Sequence, residues 1–377
     1  MSTAIDHSFI RSGKFIVNHD IINCTADGVV GNHLYSGRAL GISEPWDIIQ
    51  LHPELRSQFP AISAHYHRIG LSHSENVIWN LDLKQLGAHA GYQPSVFYFG
   101  PTECRYWGDR DWLDAVEYIN SKNNFITLAQ SVGTAIPKTI CLNRISDLDE
   151  SVMSQVVFPC YLKASVSVSG VGIYRCENIS DFVSASKMFN ENTPVQIQQN
   201  IETNLFLNLQ YQIEGEELFR LAASEQILDG CAHQGNRVPA SHQPWAVVDP
   251  MAEWLQERGM KGIFAFDVAV VDTPDNDTAS TPQFFAIECN PRFNGATYPT
   301  LIAQKLNIPQ WCSVAFSTRH TRLDAIDLRD IEYSSRTGQG IIVVNWGTIL
   351  TKKIAIMMVG NPAYQQALKE ELEERLT

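Results

Sequence analysis

Two apolar segments of the sequence each carry an acidic residue where a buried side chain is expected, and they constrain the fold most. "GIFAFDVAVVD" (residues 262–272) contains Asp267, and "FFAIECN" (residues 284–290) contains Glu288 and ends at Asn290. Strand side chains repeat every second residue, so Glu288 and Asn290 share a face. If the two segments pair as antiparallel strands, Asp267, Glu288 and Asn290 point into one pocket.

Oxygen ligands of this kind are suited to Mg²⁺, which commonly takes the rest of its coordination shell from water and nucleotide phosphates. Arg292 lies just beyond the second segment and would face developing negative charge. For Asp267 or Glu288 alone, a place on an exposed edge strand or in an ion pair is the more ordinary explanation. The two acids together, with Asn290 and Arg292 at these offsets, favour a metal site.

Composition limits the classes of function. The chain has 377 residues, 44% of them hydrophobic, which is enough for two or three domains. Its net charge of −13 argues against a protein that binds nucleic acid through the phosphate backbone. The eight cysteines show no zinc-binding spacing, so we expect free thiols in a reducing compartment. With no signal-like or membrane-spanning segment, the sequence predicts a soluble cytoplasmic protein.

The order of predicted elements indicates a mixed α/β and α+β architecture. Short β-rich segments lie at residues 14–20, 75–80 and 95–100, and helical spacing runs from residue 110 to Gly133. A helix near residues 180–189 is expected to begin with Ser180 or Asp181 as its cap. "EGEE" (residues 214–217) predicts the turn of a hairpin, and the C-terminal residues predict two strands and an amphipathic helix.

Two weaker motifs precede the acidic strands. "YLKASVSVSGVG" places Lys163 at the end of a strand before a loop rich in serine and glycine, which contains Ser169, Gly170 and Gly172. Such a loop can bring backbone N–H groups to phosphates, although most loops like it are structural. "VQIQQNI" (residues 195–201) is an apolar strand that runs into polar backbone. It could present backbone groups to an adenine edge or simply end an ordinary sheet.

In chain order, these motifs resemble the ATP-grasp superfamily. The matching pieces are Lys122, the Lys163 loop, a hinge at residues 198–201, Asp267, and "ECNPR" at residues 288–292. The resemblance implies ATP held between two α+β lobes behind an N-terminal α/β pre-ATP-grasp domain. The implied boundaries are residues 1–115 for the N-terminal domain, 116–200 for the small lobe, and 201–377 for the large lobe with the metal site and a C-terminal subdomain.

The resemblance also implies a role for each matching residue. The phosphates would contact Lys122, Lys163, Ser169, Gly170 and Gly172; the adenine would contact the hinge at Gln198, Gln199 and Ile201; Mg²⁺ or Mn²⁺ would be held by Asp267, Glu288 and Asn290; and Arg292 would stabilise an acyl phosphate. Most members of the superfamily join a carboxylate to an amine and release ADP and phosphate, and some form homodimers. A carboxylase-like or kinase-like member and a nucleotide-binding protein without turnover are the alternatives.

A narrower likeness rests on "EQILDGCAHQGNRVPA" (residues 225–240) and on the C-terminal segment from residue 338. Both resemble the branch typified by the pheganomycin peptide ligase, which would make the product a peptide or amide of secondary metabolism. Arg237, as a catalytic carboxylate clamp, and His233 would then line the substrate side, although both could equally be solvent-facing loop residues.

Two features depart from the superfamily's pattern. The hinge opens with Gln198 in place of the usual glutamate, and no acid stands at the usual later offset for the ribose, so Glu202 or Asn204 would have to bind it. Ala265 stands where some D-alanine ligases carry an arginine. Arg292 would therefore act alone or with help from Arg220 or Arg237.

Overall fold

The computed structural model describes residues 5–6, 12–25, 30–167, 172–203, 205–230, 232–272 and 281–377. The strands are, in chain order, β1 (Ile5–Asp6), β2 (Lys14–Asn18), β3 (Ile48–Gln50), β4 (Val77–Ile78), β5 (Tyr92–Val96), β6 (Thr139–Leu142), β7 (Cys160–Ala164), β8 (Ile173–Cys176), β9 (Val195–Gln199), β10 (Leu205–Glu214), β11 (Glu217–Asp229), β12 (Ala232–Val238), β13 (Gly262–Asp272), β14 (Pro282–Asn290), β15 (Trp311–Ser317), β16 (Gly340–Asn345) and β17 (Lys353–Val359). The helices are α1 (Phe59–Ile69), α2 (Pro101–Trp107), α3 (Arg110–Asn120), α4 (Lys122–Val132), α5 (Glu150–Met153), α6 (Ile179–Ser186), α7 (Trp245–Glu257), α8 (Thr297–Lys305) and α9 (Pro362–Leu376).

The region of helical spacing from residue 110 to Gly133 is two helices rather than one. The break falls at Ser121, whose backbone is extended and whose side chain accepts a hydrogen bond from the Asn124 N–H at the start of α4. A serine in this position satisfies an N–H group that the first turn of a helix leaves without an intrahelical partner. Helix α4 ends at Gly133 in the left-handed region, as the sequence predicts.

Two local predictions differ from the structure. Helix α6 is capped by Asn178, whose side-chain oxygen accepts hydrogen bonds from the Ser180 and Asp181 N–H groups, so neither Ser180 nor Asp181 is the cap. Asparagine slightly further upstream is an equally good capping residue, and the sequence pattern alone did not separate the three. The strand predicted at residues 95–100 lies earlier, as β5. Residues 101–107 form α2, which begins with a proline, so the chain leaves the strand before this helix starts.

The chain divides into two compact units. Unit 1 contains residues 1–6, 111–220 and 242–291, and unit 2 contains residues 7–110, 221–241 and 292–377. The sequence-based division into three domains at residues 115 and 200 stays a prediction. Strand β11 begins in unit 1 and continues into unit 2.

Unit 1 contains two antiparallel arrays. The smaller is a four-stranded sheet in the order β6-β9-β7-β8. One face of it packs on a core formed by Leu162, Phe182, Val195 and neighbouring apolar residues. The other array places β13 between β10 and β14, so that the two acidic strands predicted from sequence are hydrogen-bonded neighbours. The predicted antiparallel pairing is confirmed.

Unit 2 contains a parallel sheet in the order β4-β3-β2-β5, built from the N-terminal part of the chain. It also contains an antiparallel array in which β12 pairs with the later part of β11 and with β15, and β17 pairs with both β15 and β16. The parallel sheet is the α/β part of the fold that the sequence predicts for this region.

Two further expectations concern cysteines and membranes. All the cysteines in the described ranges have free thiols, and Cys231 lies outside those ranges. Among the described residues, no helix has both the length and the apolar character that crossing a bilayer requires.

Candidate functional site

Asp267, Glu288 and Asn290 come together in unit 1, on neighbouring strands. Asp267 of β13 lies directly opposite Glu288 of β14 in the strand register. The Asn290 side chain donates a hydrogen bond from Nδ2 to Asp267 Oδ2 over 3.0 Å. Strand pairing and side-chain contact thus gather the oxygen-bearing residues that the sequence singled out.

A β-bulge aligns the two acids. The register shifts between Asp267 and Val268, so Asp267 pairs with Glu288 while Val268 pairs with Ala286, and Ile287 is the additional residue on β14. Without this shift Asp267 would lie opposite Ile287. Bulges re-aim side chains in this way and are frequent beside functional sites.

Asn208 is a site residue that sequence reasoning missed. It lies on β10 opposite Asp267 and donates from Nδ2 to Asp267 Oδ1 over 2.8 Å. The Asp267 carboxylate is therefore held through both oxygens by amide groups on the two flanking strands. The signal was present in "NLQYQ", where polar residues alternate with Leu209 and Tyr211, and in a long strand this alternation marks a polar face.

Lys122 is positioned on Glu288. Its Nζ lies 2.8 Å from Glu288 Oε2, and only about a tenth of the lysine side chain is exposed. Lys122 is the first residue of α4, and its backbone N–H donates to the Ser165 carbonyl, which ties the helix start to the segment after β7. The ion pair anticipated as an alternative for Glu288 thus exists, and its cation is one of the two predicted phosphate-binding lysines.

Lys163 lies on the polar face of the small sheet. Its Nζ donates to Gln198 Oε1 over 2.7 Å, and Gln198 in turn donates from Nε2 to Thr139 Oγ1 over 3.2 Å. Lys163 and Gln198 are both buried. The Lys163 ammonium thus donates a hydrogen bond to the neutral amide oxygen of Gln198, at the hinge position where the superfamily's pattern has a glutamate.

Gln196 is a second buried residue that sequence reasoning missed. It pairs directly opposite Lys163 in the sheet register, and it is 1% exposed. Within the described part of the chain, neither Oε1 nor Nε2 of Gln196 has a hydrogen-bond partner. Alternation in "VQIQQ" places Gln196 and Gln198 on the face of Lys163, and this was the signal that could have revealed it.

The hinge and the serine-glycine loop are only partly described. The Gln199 N–H donates to the Lys138 carbonyl, and the Ile201 carbonyl accepts from the Thr203 N–H. Gly172 adopts a positive φ of 76°, and its carbonyl accepts from the Ala164 N–H. Ser169, Gly170 and Asn204 lie outside the described residues.

Arg220 forms an ion pair with Asp249 in unit 1. Its guanidinium binds the carboxylate of Asp249, which also accepts a hydrogen bond from the Tyr211 hydroxyl over 2.8 Å. Asp249 is buried, so this cation balances a charge that water does not reach. The structure therefore gives Arg220 a partner of its own, whereas the sequence suggested it as a helper for Arg292.

The remaining predicted residues belong to unit 2. Arg237 Nε donates to Glu225 Oε2 over 2.6 Å, although most of the arginine side chain is exposed. Burial would raise the pKa of Glu225, but hydrogen bonds from Ser241 and Arg237 lower it below its usual value. His233 is exposed and shares a 2.6 Å hydrogen bond with Asn236.

Arg292 is anchored through its backbone in unit 2. It forms an antiparallel bridge with Tyr98, and the next residue, Phe293, donates its N–H to the Phe97 carbonyl over 3.0 Å. The chain thus fixes Arg292 two residues after Asn290, at the point where β14 has ended.

No family profile matches the sequence, and no curated protein matches it either. Solved structures do match. N5-carboxyaminoimidazole synthetase from Staphylococcus aureus, complexed with ADP, is 12% identical, with 98% of this chain and 99% of that chain covered and a TM-score of 0.58. N5-carboxyaminoimidazole ribonucleotide synthetase from Thermus thermophilus is 14% identical, with 97% of this chain and 98% of that chain covered and a TM-score of 0.56.

A third match is carboxyaminoimidazole ribonucleotide synthase from Aspergillus clavatus, complexed with ATP. It is 13% identical, covers 97% of this chain and 99% of that chain, and has a TM-score of 0.52. At these identities the similarity concerns the fold alone, and it extends over nearly the whole length of each chain. The three proteins have the ATP-grasp architecture that the order of motifs predicted. The chain therefore has the ATP-grasp fold, with an N-terminal α/β domain before it.

Proposed function

We propose that unit 1 binds ATP with Mg²⁺ and that the protein is an ATP-dependent carbon–nitrogen ligase. The observation that carries the proposal is the group formed by Asp267, Glu288 and Asn290, with Lys122 paired to Glu288. Two solved structures of the same fold are named as complexes with ADP and ATP, which supports a nucleotide as the ligand.

The residues present fit a magnesium ion. Asp267 and Glu288 supply anionic oxygens on paired strands, and Asn290 supplies an amide oxygen because its Nδ2 is turned to Asp267. Oxygen ligands with carboxylates are the set that Mg²⁺ prefers. Mn²⁺ is also compatible with such ligands. A bound metal ion would neutralise charge on the phosphates of the nucleotide.

The buried polar face of the small sheet supports binding of the nucleotide. Lys163 supplies a positive charge that is already oriented by Gln198. Gln196 beside it presents a donor and an acceptor with no partner among the described residues, and a buried amide left this way costs about 1–3 kcal/mol. A polar ligand against this face would remove that penalty. We infer that Lys122, Lys163 and the loop containing Ser169, Gly170 and Gly172 contact phosphates.

The reaction that suits this site is activation of a carboxylate as an acyl phosphate, followed by attack of an amine. In-line phosphoryl transfer needs positioning and charge neutralisation more than a protein nucleophile. Lys122 and Lys163 are two buried cations of unit 1, and Arg292 follows Asn290 closely in the chain. We propose that Arg292 stabilises the acyl phosphate and that Arg237 binds a substrate carboxylate, which would require exchange of its present partner Glu225.

Two narrower versions of this function follow from different observations. The resemblance of residues 225–240 to the pheganomycin peptide ligase favours a peptide or amide product in secondary metabolism. The solved structures reported above are named as carboxyaminoimidazole synthetases, and this favours ATP-dependent carboxylation of an amine as the second candidate. Both versions consume ATP, and they differ in whether the acid is organic or bicarbonate.

A product assay tests the proposal. The protein would be incubated with Mg-ATP and pairs of one acid and one amine, with bicarbonate as one of the acids and amino acids among the others. We expect release of ADP and phosphate that requires both members of a pair. The acid of the active pair then separates the two versions. Release of AMP and pyrophosphate instead would exclude the acyl-phosphate mechanism.

A further inference from the structure

A buried arginine in unit 2 is enclosed by aromatic rings. Arg38 lies in the 3₁₀ helix Asn32–Ile42 and is 8% exposed. Its guanidinium carbon lies 5.0 Å from the ring centre of Tyr35, 4.6 Å from that of Phe97 and 4.4 Å from that of Tyr298. These contacts favour the cation and hold it in place. They leave the in-plane N–H groups of the guanidinium to other partners.

One edge of this guanidinium has no partner among the residues that the structure describes. Among the described residues, neither Nε nor Nη2 of Arg38 has a hydrogen-bond partner. Elsewhere in the chain the same two nitrogens bind carboxylates: Arg68 uses them on Glu332 and Arg322 uses them on Asp324. In the described part of the chain, the edge with which several other arginines hold a carboxylate is thus buried and without a partner in Arg38.

An open edge of this kind is unfavourable without a ligand. A buried charge without an ionic partner is strongly destabilising, and cation–π contacts recover about 2 kcal/mol at best for a desolvated cation. Planar bidentate pairing with an oxyanion is the interaction that a guanidinium edge makes best. Within the described ranges, the interaction that Arg38 lacks at this edge is that with an anion.

The charged groups near the Cys24 thiol, on which the charge of Arg38 also acts, favour a carboxylate over a phosphate as the ligand. Burial raises the pKa of the Cys24 thiol to about 12, and the charges of Arg292 and Arg38 act in the opposite direction, so both arginines lie near this thiol. Asp20 and Glu103 act on the same thiol as nearby acids. Two acids close by would repel a dianionic phosphate more strongly than a singly charged carboxylate.

The two acids have partners other than Arg38. Asp20 Oδ1 accepts from the Ile22 N–H, and Glu103 Oε2 accepts from the Gly100 N–H at the start of α2. Burial raises the pKa of each. The Tyr298 hydroxyl is buried as well, which raises its pKa, while the charge of Arg38 and a hydrogen bond to it act in the opposite direction.

We propose that Arg38 is a carboxylate-binding residue and that its open Nε/Nη2 edge receives the carboxylate of a small-molecule substrate. The identification of that molecule as a substrate rests on the proposed ligase function, whereas the binding of a carboxylate follows from unit 2 by itself. The inference adds to the proposed reaction a substrate class, namely a molecule with a carboxylate recognised in the N-terminal part of the chain.

Thermal unfolding with small anions tests this proposal without any nucleotide. Sodium acetate would be titrated against sodium chloride at equal ionic strength, with inorganic phosphate as a third series. We expect acetate to raise the Tm of the wild type saturably and beyond chloride, because a ligand that binds only the folded state stabilises it. No preference of the wild type for acetate over chloride would overturn the proposal, and so would a larger shift with phosphate than with acetate.

The matched variants are Arg38→Lys and Arg322→Lys. Lysine keeps the positive charge but lacks the planar pair of N–H donors of arginine. In Arg38→Lys, the acetate concentration that gives half of the maximal Tm shift should therefore rise about tenfold or more, whereas Arg322→Lys should behave as wild type. An unchanged acetate response in Arg38→Lys would overturn the proposal. Arg38→Gln serves as a second variant should lysine not be accommodated. A negative result with acetate would not contradict the proposed ligase function, and a lack of ligase activity would not contradict the binding of acetate at Arg38.

Discussion

Replacing Glu288 by glutamine is expected to lower Mg²⁺-dependent ATP turnover about 10²- to 10³-fold. The change keeps the size of the side chain but removes the anion that faces Asp267 and pairs with Lys122. Loss of one preorganised group that stabilises transition-state charge has an effect of this size in other enzymes. Turnover would be measured as phosphate release with an active acid and amine pair, at several Mg²⁺ concentrations.

Asp324→Asn is the control for Glu288→Gln. Asp324 is an exposed acid in unit 2, paired with Arg322, so its neutralisation changes the net charge by the same amount and alters no residue of unit 1. Its turnover should match that of the wild type. If Glu288→Gln folds, as judged by its thermal unfolding, and retains wild-type turnover, Glu288 is not part of the site and the ion pair with Lys122 is only structural.

Replacing Lys163 by methionine is expected to weaken ATP binding about 10- to 100-fold. A hydrogen bond from a charged donor contributes about 1.5–3 kcal/mol, and Lys163 is buried beside Gln196 and Gln198, where water competes little. Methionine fills a similar volume, and removing a buried ammonium need not destabilise the sheet. The measurement is a calorimetric titration with ATP and Mg²⁺.

Lys138→Met is the matched control for this titration. Lys138 is also a lysine of unit 1, but its Nζ donates to the Gln155 carbonyl in an exposed position. Its affinity for ATP should equal that of the wild type. Equal affinities for Lys163→Met and Lys138→Met would mean that Lys163 does not contact the nucleotide.

The convergence of Asp267, Glu288 and Asn290 could be predicted because it depends on local pattern. Each acid interrupts an apolar segment, and two such segments separated by one polar loop favour antiparallel pairing. The β-bulge that aligns Asp267 with Glu288 could not be predicted from local sequence pattern. An additional residue in one strand depends on how the whole pair twists and packs, and Ile287 is an ordinary apolar residue in the sequence.

The contact between Lys122 and Glu288 shows what lies beyond local pattern. The lysine begins a helix and the glutamate lies near the end of a strand, and strands β6 to β13 lie between them along the chain. Only the resemblance to the superfamily linked the two. Their distance follows from tertiary packing, which includes the hydrogen bond between Lys122 N–H and the Ser165 carbonyl.

Gln196 and Arg38 were missed for a related reason. A glutamine in a strand and an arginine in a turn-rich segment are common. Alternation in "VQIQQ" places Gln196 on the face of Lys163, but neither this segment nor "YSGRALG" shows that the side chain is buried. Their significance appears only when burial is combined with hydrogen-bond accounting, because a buried polar atom almost always has a partner. Within the described ranges, each of these two residues has two buried polar atoms without a partner.

The most direct test of the central claim is a titration of the wild-type protein with ATP, with Mg²⁺ present and with Mg²⁺ removed by a chelator. It requires no knowledge of the acid or the amine. The proposed site in unit 1 predicts saturable binding of one ATP per chain, with an affinity that falls when the metal is removed. No saturable binding, or an affinity that is the same with and without Mg²⁺, would contradict it.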